Sequence, residues 1–154
     1  MTAPLSAADR LELSDLAHRY AACVDARNFD DLVELFTPTA QLTLPKPPDD
    51  LGPCVRHEGH AGVRTAMESL RGVTRTLHAI VGEVYTAGPA ADTATGAVVG
   101  VAHHWIDKDG KITDLVWYLR YADEYLRTTA GWCIAKRELT IDAIETRPAR
   151  QVRL

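Results

Sequence analysis

The chain has 154 residues and a mass of 16.9 kDa, with 46% hydrophobic and 25% charged residues, which fits one globular domain and excludes a disordered chain. Seventeen basic residues against 21 acidic ones give a net charge of −4, so no broad positive field is offered to nucleic acid or an anionic membrane. No apolar run approaches the roughly 18 residues of a membrane span, and the start MTAPLSAADRLEL lacks a basic region followed by an apolar one, so a cytoplasmic protein is expected. The three cysteines, Cys23, Cys54 and Cys133, are far apart among apolar neighbours, a pattern that predicts reduced, buried thiols.

Ser6 with Asp9 resembles a capping box, and Leu13, Leu16, Ala17, Tyr20 and Val24 recur at helical spacing, predicting a helix from about Ala7 to Asp25. Asn28 can cap a second, shorter helix that carries Phe29, Leu32, Leu35 and Phe36 and ends before Pro38. Gln41 to Leu44 reads as a short strand, and Pro45 to Pro53 as a surface loop, because its prolines and Gly52 oppose regular structure. Gly62 to Leu70 reads as a third helix. Beyond it Thr76–Ala87, Thr93–Ile106, Ile112–Leu126 and Trp132–Ile144 are rich in Val, Ile, Thr, Tyr and Trp and are separated by turn signals, predicting four long hairpin-joined strands. Helices first and an antiparallel sheet afterwards is the α+β order, and a strongly curved sheet wrapped on N-terminal helices makes a cone with a central pocket. Residues 145–154 carry three arginines and Pro148 without apolar periodicity and read as a tail beyond a single-domain core of about residues 5–144.

No phosphate-binding glycine loop, G-x-S-x-G, C-x-x-C or H-E-x-x-H is present, which leaves acid–base chemistry. Asp25 ends the first helix among apolar neighbours, where an acid wants a partner, although capping the turn would also explain it. His78 stands in the apolar strand Thr76-Leu77-His78-Ala79-Ile80-Val81, where an ordinary buried histidine is the plain alternative. Together they form a candidate dyad in which the acid fixes the tautomer and supports the imidazolium. In His103-His104 only one ring can face inward, and the alternation Val98, Gly100, Ala102, His104 selects His104. A metal site from His57, His60, His103 and His104 fits no familiar ligand spacing and has no carboxylate with it, so none is expected. Tyr20 lies on the apolar face of the first helix and would want an internal partner for its hydroxyl, such as a polarised substrate oxygen. Of the aromatics in the last strands, most of which serve packing, Tyr121 and Trp117 are candidates for substrate contact. Arg137 alternates with Cys133 and Ala135; facing inward it could hold a leaving group, and a salt-bridged surface position is the alternative.

Tyr20-x4-Asp25, Asn28-Phe29-Asp30-Asp31-Leu32, Leu35-Phe36-Thr37-Pro38-Thr39-Ala40, Thr76-Leu77-His78, Ala102-His103-His104 and Arg120 to Arg127 before Gly131-Trp132-Cys133-Ile134-Ala135 resemble, in this order, the SnoaL-like group of the nuclear-transport-factor-2-like superfamily. The resemblance spans roughly Leu5 to Ile144. It implies a conical α+β fold that assembles as dimers or trimers through the sheet face. Asp25 and His78 match the Asp and His that scytalone dehydratase, bile-acid 7α-dehydratase and hexachlorocyclohexane dehydrochlorinase share. Tyr20 matches a tyrosine of the bile-acid enzyme, His104 aligns within one residue with a second histidine of scytalone dehydratase, and Arg137 aligns with an arginine of the dehydrochlorinase. Val24 stands where scytalone dehydratase has a tyrosine, and Tyr20 where the dehydrochlorinase has a lysine, so neither substrate carries over. Leu44 precedes Pro45 where ketosteroid isomerases of the superfamily carry their aspartate. The resemblance implies a cofactor-independent lyase acting on a small hydrophobic cyclic compound. The alternatives are a polyketide cyclase or ketone isomerase on the same fold, or a non-catalytic ligand-binding or assembly module.

Overall fold

The computed structural model describes residues 2–154 and orders them as two helices, a strand pair, a third helix and four long strands. Helix α1, Ala7–Ala26, starts at a reciprocal capping box: the Asp9 amide donates to Ser6 Oγ at 3.1 Å and the Ser6 amide to Asp9 Oδ2 at 3.0 Å. Its buried residues Leu13, Leu16, Ala17, Tyr20, Ala21 and Val24 form one stripe, as the spacing predicts. Helix α2, Phe29–Glu34, is capped by the Asn28 side chain. Helix α3 spans Gly59–Glu68, three residues earlier than its apolar spacing suggests, and continues as a 3-10 turn over Ser69–Gly72.

The six strands, β1 (Phe36–Lys46), β2 (Asp50–Glu58), β3 (Arg75–Ala87), β4 (Thr93–Lys108), β5 (Lys111–Thr128) and β6 (Gly131–Ala149), form one sheet in the order β2-β1-β6-β5-β4-β3. All neighbours are antiparallel except β1 and β6, which run parallel from Phe36↔Ile134 to Thr43↔Glu138. The curved sheet is unclosed and packs its inner face on the helices, giving the expected α+β architecture.

Two expectations need correction. The proline-rich segment is not simply a loop: β1 runs to Lys46 and β2 begins at Asp50, so only the residues between them turn. Strand β2 lies at the sheet edge, where a proline such as Pro53 costs no interior ladder bond. Nor do residues 145–149 belong to a tail, because Glu145 to Ala149 pair with Val116 to Ile112 of β5. Strand β1 pairs only with the first part of β6, so the second part has a free edge and Pro148 fits there. The thiols also differ from expectation. Cys54 is exposed on the edge strand, and Cys23 and Cys133 are only partly buried.

Candidate active site

Register brings the inner-face residues into rows, since directly opposed residues share a face of the sheet. One row is His78, Ala102, Trp117 and Ile144 across β3 to β6. The next toward the sheet end carries Thr76, His104 and Leu115. Asp25 reaches these rows from the last turn of α1. The His78 ring donates from Nδ1 to Asp25 Oδ1 at 2.7 Å, the His78 amide donates to Oδ2 at 2.9 Å, and Thr76 Oγ1 donates to Oδ1 at 2.9 Å. The His78 and Asp25 side chains keep 12% and 24% of their surface exposed, so the pair is sheltered yet reachable. Burial works against the Asp25 charge, but hydrogen bonds from the His78 ring and amide, the charge on His78 and the Thr76 hydroxyl outweigh it and hold the carboxyl below the usual carboxylate range.

Two members of this constellation were not singled out from the sequence. Arg27, in the left-handed conformation at φ 58° just past α1, donates from Nη1 to the Val24 carbonyl and to Thr76 Oγ1, both at 2.8 Å. Its Nη2 donates to the Val73 carbonyl at 3.2 Å. Non-glycine residues adopt this backbone when their surroundings hold them in it. The chain Arg27, Thr76, Asp25, His78 is thus one connected hydrogen-bond network. The available signals were an arginine two positions after the acid and a threonine two before the histidine on the same strand face. Thr76→Val is expected to cost about 1–2 kcal/mol of stability, because it removes a buried donor to Asp25 and an acceptor from Arg27; urea unfolding midpoints measure this.

The two neighbouring histidines face opposite sides of the sheet. His104 is inward and 4% exposed, its Nδ1 donates to the Leu115 carbonyl at 2.9 Å, and its ring lies 5.9 Å from His78 and 4.6 Å from Trp117. His103 is on the outer face, with Nδ1 on Asp114 Oδ2 at 2.7 Å and its ring stacked on Trp105 at 5.3 Å. Of the remaining histidines considered for a metal, His60 bonds the Phe36 carbonyl through Nε2 at 2.8 Å. Among the described residues no group of three or more metal-ligating side chains converges.

Tyr20, Tyr121 and Arg137 form a second, deeper cluster. The Arg137 guanidinium carbon lies 4.4 Å from the Tyr20 ring centroid and 4.1 Å from that of Tyr121, and the two tyrosine rings meet edge-on at 5.8 Å. Arg137 Nε and Nη2 donate to the two oxygens of Asp123 at 2.8 and 2.7 Å, and Tyr125 Oη donates to Asp123 Oδ2 at 2.6 Å. Arg137 is therefore salt-bridged, though in the core, with the paired side chains 1% and 0% exposed; its Nη1 has no partner among the described residues. Burial alone would weaken the Arg137 charge, but the Asp123 carboxylate overcomes it and keeps the guanidinium firmly protonated. Burial pushes the Tyr20 hydroxyl up, so it stays protonated and can only donate or accept as a neutral phenol. Leu119 packs over Gly100, its Cδ1 standing 3.2 Å from where a Cβ at that position would be.

These side chains fill the depth of the cone, and Leu70, Ile80, Trp117 and Ile144, packed against that core, are only partly buried. A separate surface cleft of about 690 Å³ lies between α1, α2 and the β5–β6 turn, against Asp15, Cys23, Asp31 and Trp132. Asp25, His78, Tyr20 and His104 do not line it.

Burial pushes the His104 imidazole down, against the Leu115 carbonyl that favours its protonated form. Its folded pKa thus lies below the ordinary 6.5, so in acid the unfolded chain takes up the proton first and stability falls as pH drops below about 6.5. Asp25 adds a loss of the same sign below its ordinary 3.8, continuing down to its lowered folded value. Urea unfolding across pH is expected to show both losses, and His104→Phe to remove the upper one.

Comparison with known proteins adds the family. No curated protein matches the chain. A Kribbella flavida protein, Kfla4162, is 26% identical over 90% of this chain and 93% of its own, with a TM-score of 0.76. A protein provisionally named scytalone dehydratase from Novosphingobium aromaticivorans is 18% identical over 92% and 87%, with a TM-score of 0.74. A type 2 hexachlorocyclohexane dehydrochlorinase is 17% identical over 97% of both chains, with a TM-score of 0.73. The pattern that defines SnoaL-like domains matches residues 6–138. The chain is a member of the SnoaL-like domain family.

Proposed function

We propose that the protein is a cofactor-independent lyase that eliminates a small group from a hydrophobic cyclic compound. The observation that carries this reading is the His78–Asp25 contact at 2.7 Å. The carboxylate occupies Nδ1–H, so the neutral ring offers the Nε2 lone pair as a base, and Asp25 stabilises the imidazolium that forms. In a dehydration, the C–H proton passes to His78 Nε2, the C–H electron pair forms the new double bond, and the C–O bond breaks. The departing hydroxyl takes the proton from the imidazolium and leaves as water. The partly buried apolar side chains Ile80, Trp117 and Ile144, on the sheet face that carries His78, support a greasy substrate. Tyr20, kept protonated by burial, is the candidate donor to a developing oxyanion. The elimination enzymes named among the structural neighbours agree with this chemistry.

Leu77, Val81 and Val84, exposed on the outer face of β3, support assembly with a second copy through that face. Exchange of the α-hydrogens of cyclic ketones and hydroxy-ketones with deuterated water, followed by mass spectrometry, tests the base directly. Exchange is expected for at least one compound, and its absence throughout a broad panel would reject the reading. Product analysis on a responsive compound separates elimination from cyclisation or isomerisation.

A further inference from the structure

The hydrogen bonds at the two inner histidines fix which ring nitrogen carries the proton. Asp25, as a carboxylate, and the Leu115 carbonyl can only accept, so each ring holds a proton on Nδ1 and, when neutral, presents a bare Nε2. Among the described residues no hydrogen bond reaches Nε2 of either ring. His104 is sheltered and biased by burial toward its neutral form. A neutral ring of this tautomer cannot donate to a carbonyl oxygen or protonate a leaving group at Nε2. It can only accept.

Beside it stands an unmatched donor. Trp117 packs 4.6 Å from the His104 ring, and its indole Nε1 is buried without a partner among the described residues. Buried donors ordinarily find acceptors, so this sealed N–H is costly as it stands and would be satisfied by a ligand oxygen that reaches it on a small shift of the indole. A hydroxyl supplies both needs: it donates to an imidazole lone pair while its oxygen accepts from an N–H. An ether or a carbonyl cannot do the first.

We propose that His104 Nε2 and the Trp117 indole N–H form a subsite for a hydroxyl that the ligand retains, which narrows the ligand class to hydroxylated rings. This hydroxyl is not the leaving group, because an acceptor on its proton would build negative charge on the oxygen and would not assist its departure as water. The deepened substrate class rests on the reading of His78 as the base, whereas the subsite itself does not.

Phenol and its methyl ether, anisole, are the probes. Long-range ¹H–¹⁵N correlation spectra of the ¹⁵N-labelled protein near neutral pH are expected to show His104 protonated on Nδ1 alone. Phenol should shift both the His104 Nε2 and Trp117 indole signals and bind about tenfold or more tightly than anisole, the size of a lost hydrogen bond in a sheltered site. His104→Phe should remove the preference. An Nε2-protonated or doubly protonated His104, equal binding of the two probes, or a preference that survives His104→Phe would each overturn the proposal. If the variant does not fold, the tautomer and probe shifts of the unaltered protein decide. Phenol discrimination without hydrogen exchange on any ketone would reject the lyase reading and keep the subsite; exchange without discrimination would do the reverse.

Discussion

His78→Ala is expected to lower hydrogen exchange on a responsive cyclic ketone by on the order of 10²–10⁴, the contribution of a positioned base. The change removes the Nε2 lone pair and leaves the His78 amide bond to Asp25 available, so the fold should survive. Asp25→Asn is expected to produce a comparable loss by a different route. An amide can still accept from Thr76 and the His78 backbone, but it carries no charge to balance an imidazolium and can offer its own N–H to the ring. Circular dichroism and a thermal scan establish the folded state of each variant, and deuterium incorporation measures the chemistry. Full exchange in both variants would sink the dyad. Retention in Asp25→Asn alone would confine Asp25 to structure.

Arg137→Met is expected to cost about 3–5 kcal/mol, the largest stability effect of any substitution considered, because Asp123 would remain as an uncompensated charge in the core. Such a loss is a large share of the roughly 5–15 kcal/mol by which a typical domain is stable, so partial unfolding at ambient temperature is an expected outcome. Removing both charges avoids the orphan: the double variant Asp123→Leu with Arg137→Met should be more stable than Arg137→Met alone. Urea unfolding of the three proteins measures the coupling. A near-neutral Arg137→Met would mean that Asp123 is protonated or hydrated in the core. The same ion pair leaves Arg137 little freedom to hold a departing anion, since Nε and Nη2 are committed to Asp123.

The features legible in the sequence were those fixed by short-range spacing. Ser6 with Asp9 and the apolar stripe of α1 declared the first helix, and the period of two along β4 separated His104 from His103. Asp25 and His78 could be set together as a candidate dyad from their residue types and places, and the family resemblance supported the pairing, but their 53-residue separation leaves no local signal of the contact itself. Strand β2 was hidden by Pro53, which an edge position tolerates, and by the prolines just before it, and the last part of β6 by a polar composition that a one-sided strand permits. The Arg137–Asp123 pair depends on how β5 and β6 align, a register that composition does not announce. The left-handed Arg27 and its bond to Thr76 depend in turn on where α1 stops.

The opposed facing of His103 and His104 makes strand length, and not residue identity alone, a determinant of which imidazole stands inside the cone. Deleting one residue from β4 between His104 and Lys108 while the Lys108 turn keeps its place would turn His104 outward and His103 inward. Variation among descendants of this gene should consequently tolerate exchanges along that stretch far more readily than gains or losses of a single codon.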